Sequence, residues 1–387
     1  MQKISCLNPI SKLGLELLEQ DKYQVVEEND VDALLVRSFK MHDYEMPSTL
    51  KAIGRAGAGV NNIPLEKCAE KGIVVFNTPG ANANGVKELV LASLLMSSRD
   101  LLGGVNWVKS IAEESDIPQK VEKNKKQFAG PEIMGKKIGV IGLGAIGAMV
   151  ANAASALGME VLGYDPFISV EGAWGLSTEV KRAVSLDEIY TQADYISIHV
   201  PAIDATKGML NCEAFDKMKE GVRIINLSRG ELVNDDDMEI AIKNGKVAQY
   251  VTDFPNEKVA AMDNVITIPH LGASTPESED NCAIMAVLQI KDYLENGNIT
   301  NSVNYPQCSL GICQAPARLA INHQNVTNMV GQITTLLANN NINIIDMVNK
   351  SKDKWAYTLI DLESDITDDT VKKLESIEGI VKVRVIK

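Results

Sequence analysis

Three short stretches carry the side chains best suited to chemistry. Arg229 stands in INLSRGELV, just past an apolar run. Asp253 and Glu257 stand in YVTDFPNEK, past the next run, and His270 in NVITIPHLGAST, past the one after. An arginine fork makes two parallel hydrogen bonds to a carboxylate. A histidine can take or give a proton near neutral pH. Arginine, acid and histidine at successive strand ends could hold a carboxylate and move a proton beside it. Taken alone, His270 would be only a polar residue closing a strand.

A fourth stretch supplies the setting. VIGLGAIGAMVANAASALGMEVLGYDP has Gly142, Gly144 and Gly147 in G-x-G-x-x-G spacing, after the apolar run 138–141 and at the head of an Ala-rich helix. Asp165 follows at the next strand end. Gly142 permits the tight turn, Gly144 lets backbone N–H groups approach a pyrophosphate, and Gly147 lets helix and strand pack closely. The helix N-terminus adds partial positive charge. Asp165 can accept from ribose hydroxyls and would repel a 2′-phosphate, so the expected cofactor is NAD. In a doubly wound sheet the strand carboxyl ends face the ligand, which turns Arg229 toward the nicotinamide and lets Asp253 hold its amide.

The elements that position these residues can be read from periodicity. Residues 33–38, 50–57 and 72–79 read as apolar strands, with a helix between the last two closed by Gly72. Residues 85–114 form a long helical pattern interrupted only by Gly103-Gly104, and the charged stretch 120–137 reads as a surface loop. Six strand-like runs with helices in the longer gaps follow from 137 to 270, as a doubly wound dinucleotide fold requires. A helix covers 278–296, and 301–317 reads as a linker. The last 70 residues run strand, helix, strand, strand, helix, strand, the order of the ferredoxin-like motif.

The stretch 138–283 resembles the D-isomer-specific 2-hydroxyacid dehydrogenase family in its glycine loop with Asp165, its N-x-S-R-G-x-L-V and its P-H-x-G-A-x-T-x-E. The resemblance implies that Arg229 binds the substrate carboxylate and carbonyl, that His270 exchanges the proton and that Glu257 pairs with it. Where the family reads D-V-F-x-x-E-P, this chain is one position shorter and has no proline after Glu257. It further implies that Ala145, Ile146, Val200, Leu227, Ser228, Gly272 and Ala273 line the cofactor with the glycines, Asp165 and Asp253. His199 in ISIHVP matches a residue lining the cofactor strand and is not the base, while His42 and His323 read as surface or packing residues.

LLVRS (Arg37, Ser38) and GRAGAGVNNIP (Arg55, Ala58, Gly59) resemble the branch of the family that oxidises 3-phospho-D-glycerate to 3-phosphonooxypyruvate, the first step of L-serine biosynthesis. Arg37 and Arg55 would meet the substrate phosphate, with Lys125 or Lys126, of the same or a neighbouring subunit, completing the site. The tail resembles an ACT regulatory domain, with Asn328 and Gly331 in its N-x-x-G loop and Asn343 as its second asparagine. These would hold a serine effector at a dimer interface. Thr327 and Val326 depart from close relatives, which carry proline and histidine there. The expected fold is α/β: a doubly wound parallel-sheet NAD domain (96–277) inserted in a flavodoxin-like α/β substrate domain (1–95 and 278–302). A linker (303–317) and a ferredoxin-like ACT domain (318–387) follow. Relatives pair through their cofactor domains, so a homodimer or homotetramer is expected.

Bulk properties set the bounds. A chain of 387 residues is long enough for two or three domains. Its longest apolar helical stretch is far below the ~20 residues that span a bilayer. The first residues, MQKISCLNPI, have no apolar signal region, so a cytoplasmic location with no membrane partner is expected. Six scattered cysteines without C-x-x-C spacing read as reduced thiols, and no metal site is expected. A net charge of −13 argues against nucleic acid and requires any anionic substrate to find a local cationic cluster. The alternatives are another D-2-hydroxyacid dehydrogenase of D-lactate or glyoxylate type, and a non-catalytic NAD-sensing protein like the C-terminal-binding-protein corepressors. Unphosphorylated acids need no second cationic cluster, and the acidic bulk counts against the corepressor.

Overall fold

The structure, a computed structural model, describes the backbone of residues 1–387 and every side chain but that of Glu171. The chain divides into two compact units, Met1–Ala81 with Glu279–Lys387, and Asn82–Ser278.

The first unit holds a five-stranded parallel sheet in the spatial order Tyr23–Val25, Gln2–Cys6, Ala33–Val36, Ala52–Arg55, Val74–Phe76. Strands Ala33–Val36 and Val74–Phe76 are buried at every position, which explains their unbroken apolar runs. The helix Pro276–Asn296 lays Ala286, Ile290 and Tyr293 into this core. A Cβ on Gly54 would stand 2.7 Å from Ile290 Cδ1, so close packing requires glycine in that strand.

The ferredoxin-like tail is present as a four-stranded antiparallel sheet in the order Ile344–Lys352, Trp355–Leu362, Ala317–Gln324, Ile380–Ile386. One face carries Leu319, Ile321, Ile360 and Leu362 against its own helices, Met329–Asn339 and Asp368–Glu375. The opposite face carries Ala320, Tyr357, Leu359 and Ile386 into the core of the five-stranded sheet, against Ile290 and Tyr293. Tyr357 OH donates to Gly297 O at 2.7 Å, and Arg384 donates to the carbonyls of Tyr293 and Leu294 near the end of the long helix. The tail is thus built into the first unit. Residues 303–317, expected as a linker, are packed as well. Asn304 bonds to Val75 N and Ile73 O, and the buried Tyr305 donates to Ala69 O.

The second unit holds a seven-stranded parallel sheet in the order Val265–Thr267, Val247–Thr252, Val222–Asn226, Tyr195–Ile198, Lys137–Ile141, Glu160–Tyr164, Lys181–Arg182. The order reverses between Lys137–Ile141 and Tyr195–Ile198, the switch point of a doubly wound sheet. Helix Ala83–Ser98 puts Val86, Val90 and Leu94 into this core, which moves the expected boundary from residue 95 back to 81. The helical pattern breaks at Arg99, not at the glycines. Arg99 is extended, and the Asp100 carboxylate caps the next helix, Leu101–Ser110, by accepting from Gly103 N. The charged stretch is not a plain loop: it folds as helix Ile117–Asn124 and a turn at Lys125–Phe128, with Phe128 against Trp107.

Candidate active site

In the second unit, strand Lys137–Ile141 ends in Gly142 at φ +89°, a conformation that favours glycine. A Cβ there would lie 2.5 Å from His199 O, and one on Gly147 would lie 1.8 Å from Gly142 O. Gly144 meets nothing within 4 Å, so the loop presents bare backbone outward. Helix Ala145–Ala156 starts there with no side-chain cap, leaving its first N–H groups for an anion. Ala145 and Ile146 open that helix, with Ala145 exposed. Asp165 is locked to the loop: Oδ2 accepts from Leu143 N and Oδ1 from Phe167 N, both at 2.8 Å. Each oxygen retains a lone pair for a ribose hydroxyl. The open glycine cradle, uncapped helix end and oriented acid fit NAD.

His199 lies beneath this loop. Its Nε2 pairs with Ser197 Oγ at 2.8 Å, and burial pushes its pKa down to about 4. It is neutral at physiological pH, in keeping with a lining role. His323, in the tail, is buried between Gln324 O and Thr358 Oγ1, a packing residue as expected.

Strand Val222–Asn226 delivers Arg229 through a loop that Asn226 organises. This buried amide donates to Arg229 O at 2.8 Å and accepts from Ser228 N. Ser228 Oγ donates to Ile198 O at 2.6 Å. Arg229 Nη1 donates to Ser228 O, and its guanidinium sits 5.9 Å from the Phe254 ring. Phe254 in turn packs on His270, with ring centroids 4.6 Å apart. Arg229, Phe254 and His270 therefore form one group at the carboxyl ends of three neighbouring strands, with Arg229 and His270 exposed and Phe254 half-buried. Leu227 and Gly272 are buried, and Val200 and Ala273 half-buried, along the same edge. Asn226 and Phe254 are the residues that the sequence reading missed. The visible signal was a polar residue closing an apolar strand and an aromatic beside the acid.

The two acids separate. Asp253 ends strand Val247–Thr252 with 1% of its surface exposed, under the backbone of Gly272. Burial holds its pKa above the usual carboxylate range, opposed in part by His270, by the backbone N–H groups of Gly272 and of Asp253 itself, and by Arg229. Glu257 is exposed as the first residue of the short helix Glu257–Ala260, whose N-cap Asn256 accepts from Val259 N. Among the described residues no hydrogen bond or ion pair joins Glu257 to His270. The side chain that packs on His270 is that of Phe254.

The first unit carries its own cationic pair. Asn8 Oδ1 accepts from the backbone N–H groups of Arg37, Ser38 and Phe39, which fixes that strand end. Arg37 ion-pairs with Glu279 at 2.7 Å. Arg55 ends its strand with a buried Nε that has no partner among the described residues. Burial and the charge of Arg37 lower its pKa, while Cys282 opposes them. Gly57, at φ +144°, leaves room for this guanidinium, since a Cβ would lie 1.7 Å from Arg55 Nη1. Thr78 Oγ1 accepts from Gly57 N, and Asn77 donates to Ala58 O beside Gly59. Two neighbouring arginines, one half-buried and unpaired among the described residues, could hold an anion. Lys125 belongs to the other unit, exposed and paired with Glu122.

In the tail, Asn328 takes φ +63° at the head of helix Met329–Asn339, and its Oδ1 lies over Gly331 where any Cβ would clash. Asn343 is bonded to Glu363 at 2.7 Å. Among the described residues no hydrogen bond joins these two asparagines. Among the described residues no group of three His, Cys, Asp or Glu side chains could hold a metal ion, and no helix is long and apolar enough to cross a membrane.

Comparison with known proteins accords with this geometry. Residues 91–272 match the D-isomer specific 2-hydroxyacid dehydrogenase NAD binding domain. The chain is 30% identical to the D-3-phosphoglycerate dehydrogenase of Haemophilus influenzae, over 88% of this chain and 82% of that one. It is 32% identical to the enzyme of the same name from Methanocaldococcus jannaschii, over 90% of this chain and 67% of that one. Among solved structures, the NAD+-bound 3-phosphoglycerate dehydrogenase of Entamoeba histolytica aligns with a TM-score of 0.61 at 28% identity. It covers 78% of this chain and 98% of its own.

Proposed function

The chain belongs to the D-isomer-specific 2-hydroxyacid dehydrogenases, and from that premise we propose that it oxidises 3-phospho-D-glycerate to 3-phosphonooxypyruvate with NAD, the first step of L-serine biosynthesis. The observation that carries the substrate choice is Arg55, a half-buried guanidinium with an unpartnered Nε beside Arg37. Leaving a buried donor unpaired costs about 1–3 kcal/mol, so such a site favours an anion that can fill it. An unphosphorylated hydroxy acid would leave it unfilled.

In this reading Arg37 and Arg55 hold the phosphate, helped by the N–H groups near Ala58 and Gly59. Arg229 grips the carboxylate and polarises the C2 oxygen. His270 takes the C2 hydroxyl proton, and it must be neutral to do so. The glycine loop, the start of helix Ala145–Ala156 and Asp165 hold the dinucleotide, which supplies the acceptor for the C2 hydride. Leu227, Gly272 and Ala273 wall that edge from water. The protein works as a homodimer or homotetramer in the cytoplasm, with Lys125 serving the phosphate of a neighbouring subunit's substrate. Serine at Asn328 and Asn343 is the proposed effector.

NADH formation, followed by absorbance with 3-phospho-D-glycerate, D-lactate and D-glycerate, tests the reading. Turnover should be confined to the phosphorylated acid. Arg55→Ala should lower kcat/KM for it by roughly 10- to 100-fold, the value of one charge-assisted contact. Equal loss on every acid would sink the phosphate assignment, and no turnover with any would sink the enzyme reading.

A further inference from the structure

We infer that Phe254 is a positioning residue of the reaction: its ring sets where Arg229 and His270 stand and meets the charge that His270 gains on taking the C2 proton. The inference rests on the roles proposed above for Arg229 and His270. Topology makes the contact possible. Strand Val247–Thr252, which leads to Phe254, lies between strand Val222–Asn226, which leads to Arg229, and strand Val265–Thr267, which leads to His270. All three run parallel, so a side chain leaving the middle strand can reach both neighbours. Phe254 does so. Its ring centroid is 4.6 Å from that of His270, with the planes tilted by 51°, and the Arg229 guanidinium carbon stands 5.9 Å from it.

Phe254 is also the best anchored of the three. Its N–H donates to Thr252 Oγ1 at 3.1 Å, and Pro255 holds the residue before it to extended backbone. The Arg229 loop closes on it from one side, where a Cβ on Gly230 would lie 3.4 Å from Phe254 Cβ. Phe254 is half-buried, whereas Arg229 and His270 are exposed. Ser274 Oγ donates to the backbone carbonyl of His270 at 3.4 Å, but among the described residues no hydrogen bond reaches its ring. An exposed imidazole in that state turns about its side-chain bonds, and packing against an anchored aromatic restricts it. Packing acts on the ring plane and leaves both imidazole nitrogens open to the substrate hydroxyl and to a carboxylate partner.

Electrostatics works in the same direction. The π-system of an aromatic ring attracts a nearby cation. Arg229 is charged throughout, so its attraction to the ring is present before the reaction starts. His270 begins neutral and ends as an imidazolium, so its attraction grows as the proton moves. A contact that strengthens only toward the transition state raises kcat and leaves substrate binding alone. A leucine would fill most of the space and supply neither effect.

The test compares Phe254→Leu, which removes the ring, with Phe254→Tyr, which keeps it. In the NADH assay with 3-phospho-D-glycerate, Phe254→Leu should lower kcat by about 10- to 100-fold, with KM and the Kd for NADH changed less than about 3-fold. Phe254→Tyr should stay within about 3-fold of the wild type. With substrate deuterated at C2, the kinetic isotope effect on kcat should rise in Phe254→Leu, because misplaced groups slow the hydride step relative to product release. A merely loosened fold would lower Tm without moving that ratio, and circular dichroism checks that both variants fold. Full activity in Phe254→Leu, an unchanged isotope effect, or an equal loss in Phe254→Tyr would overturn the proposal. A wild type that turns over no acid would instead sink the reaction itself, so the two failures are told apart.

Discussion

Arg37 and Arg55 share a strand-end neighbourhood but meet different fates, and Glu279 makes the difference. Glu279 stands on the long helix and pairs with Arg37 at 2.7 Å with both side chains about half-exposed. An ion pair at that exposure contributes only about 0.2–1 kcal/mol, so it does little for stability. Its consequence is competition: a phosphate reaching Arg37 must displace a carboxylate, whereas at Arg55 it meets no rival. Glu279→Gln should therefore strengthen binding of the phosphorylated substrate by roughly 2- to 5-fold, read as a lower KM with kcat unchanged. A raised KM would show instead that Glu279 holds Arg37 in its working position. The pair joins two ends of the sequence that no local pattern connects, which is why only the arginines were legible before folding.

At the level of elements, legibility follows how local the physical demand is. The glycine loop could be read because Gly142 and Gly147 answer to backbone clashes within a few residues of themselves. Six of the seven strands of the larger sheet were legible because strands buried on both faces must be apolar throughout, whereas the exposed edge strand Lys181–Arg182 carries no such signal. The packing of Phe254 on His270 was not legible, since it joins two strand ends that no local pattern connects. The ferredoxin-like pattern was legible, yet its second covered face was not: strand Ala317–Gln324 is buried at seven successive positions, which alternation alone would not predict. That covered face also strands a cation. Lys382, on the edge strand Ile380–Ile386, donates to Leu50 O at 2.8 Å, and burial depresses its pKa to about 8. Between pH 8 and the ordinary lysine range the unfolded chain therefore binds more protons than the folded one. Folded stability should rise with pH across that window as the cost of the buried charge is relieved. The measurement is Tm against pH for the wild type and Lys382→Met. The wild type should gain on the variant between pH 8 and 10.5, and parallel curves would show that the ammonium pays no burial cost.

For the molecule as a whole, an excess of 13 negative charges keeps copies apart and repels anionic substrates, so both association and binding must rest on local features. In the proposed function the arginine pair in one unit and Arg229 in the other are such features for binding. For association the second unit offers helix Leu101–Ser110, which buries none of its residues within the chain. Leu101, Leu102, Val105 and Val108 are each 43–50% exposed on it, and Leu95 adds to the surface from the preceding helix. A run of large apolar residues at adjacent turns of a helix is costly to leave in water, and a second copy of the same surface is the simplest cover for it. In the proposed dimer Val105→Glu would place a like charge on both sides of a two-fold contact and should yield a monomer, seen by light scattering after size-exclusion chromatography. If Lys125 serves the neighbouring subunit's phosphate, the monomer should also show a higher KM for 3-phospho-D-glycerate while binding NADH as before. A monomeric variant with an unchanged KM would confine the phosphate site to Arg37 and Arg55 of a single chain.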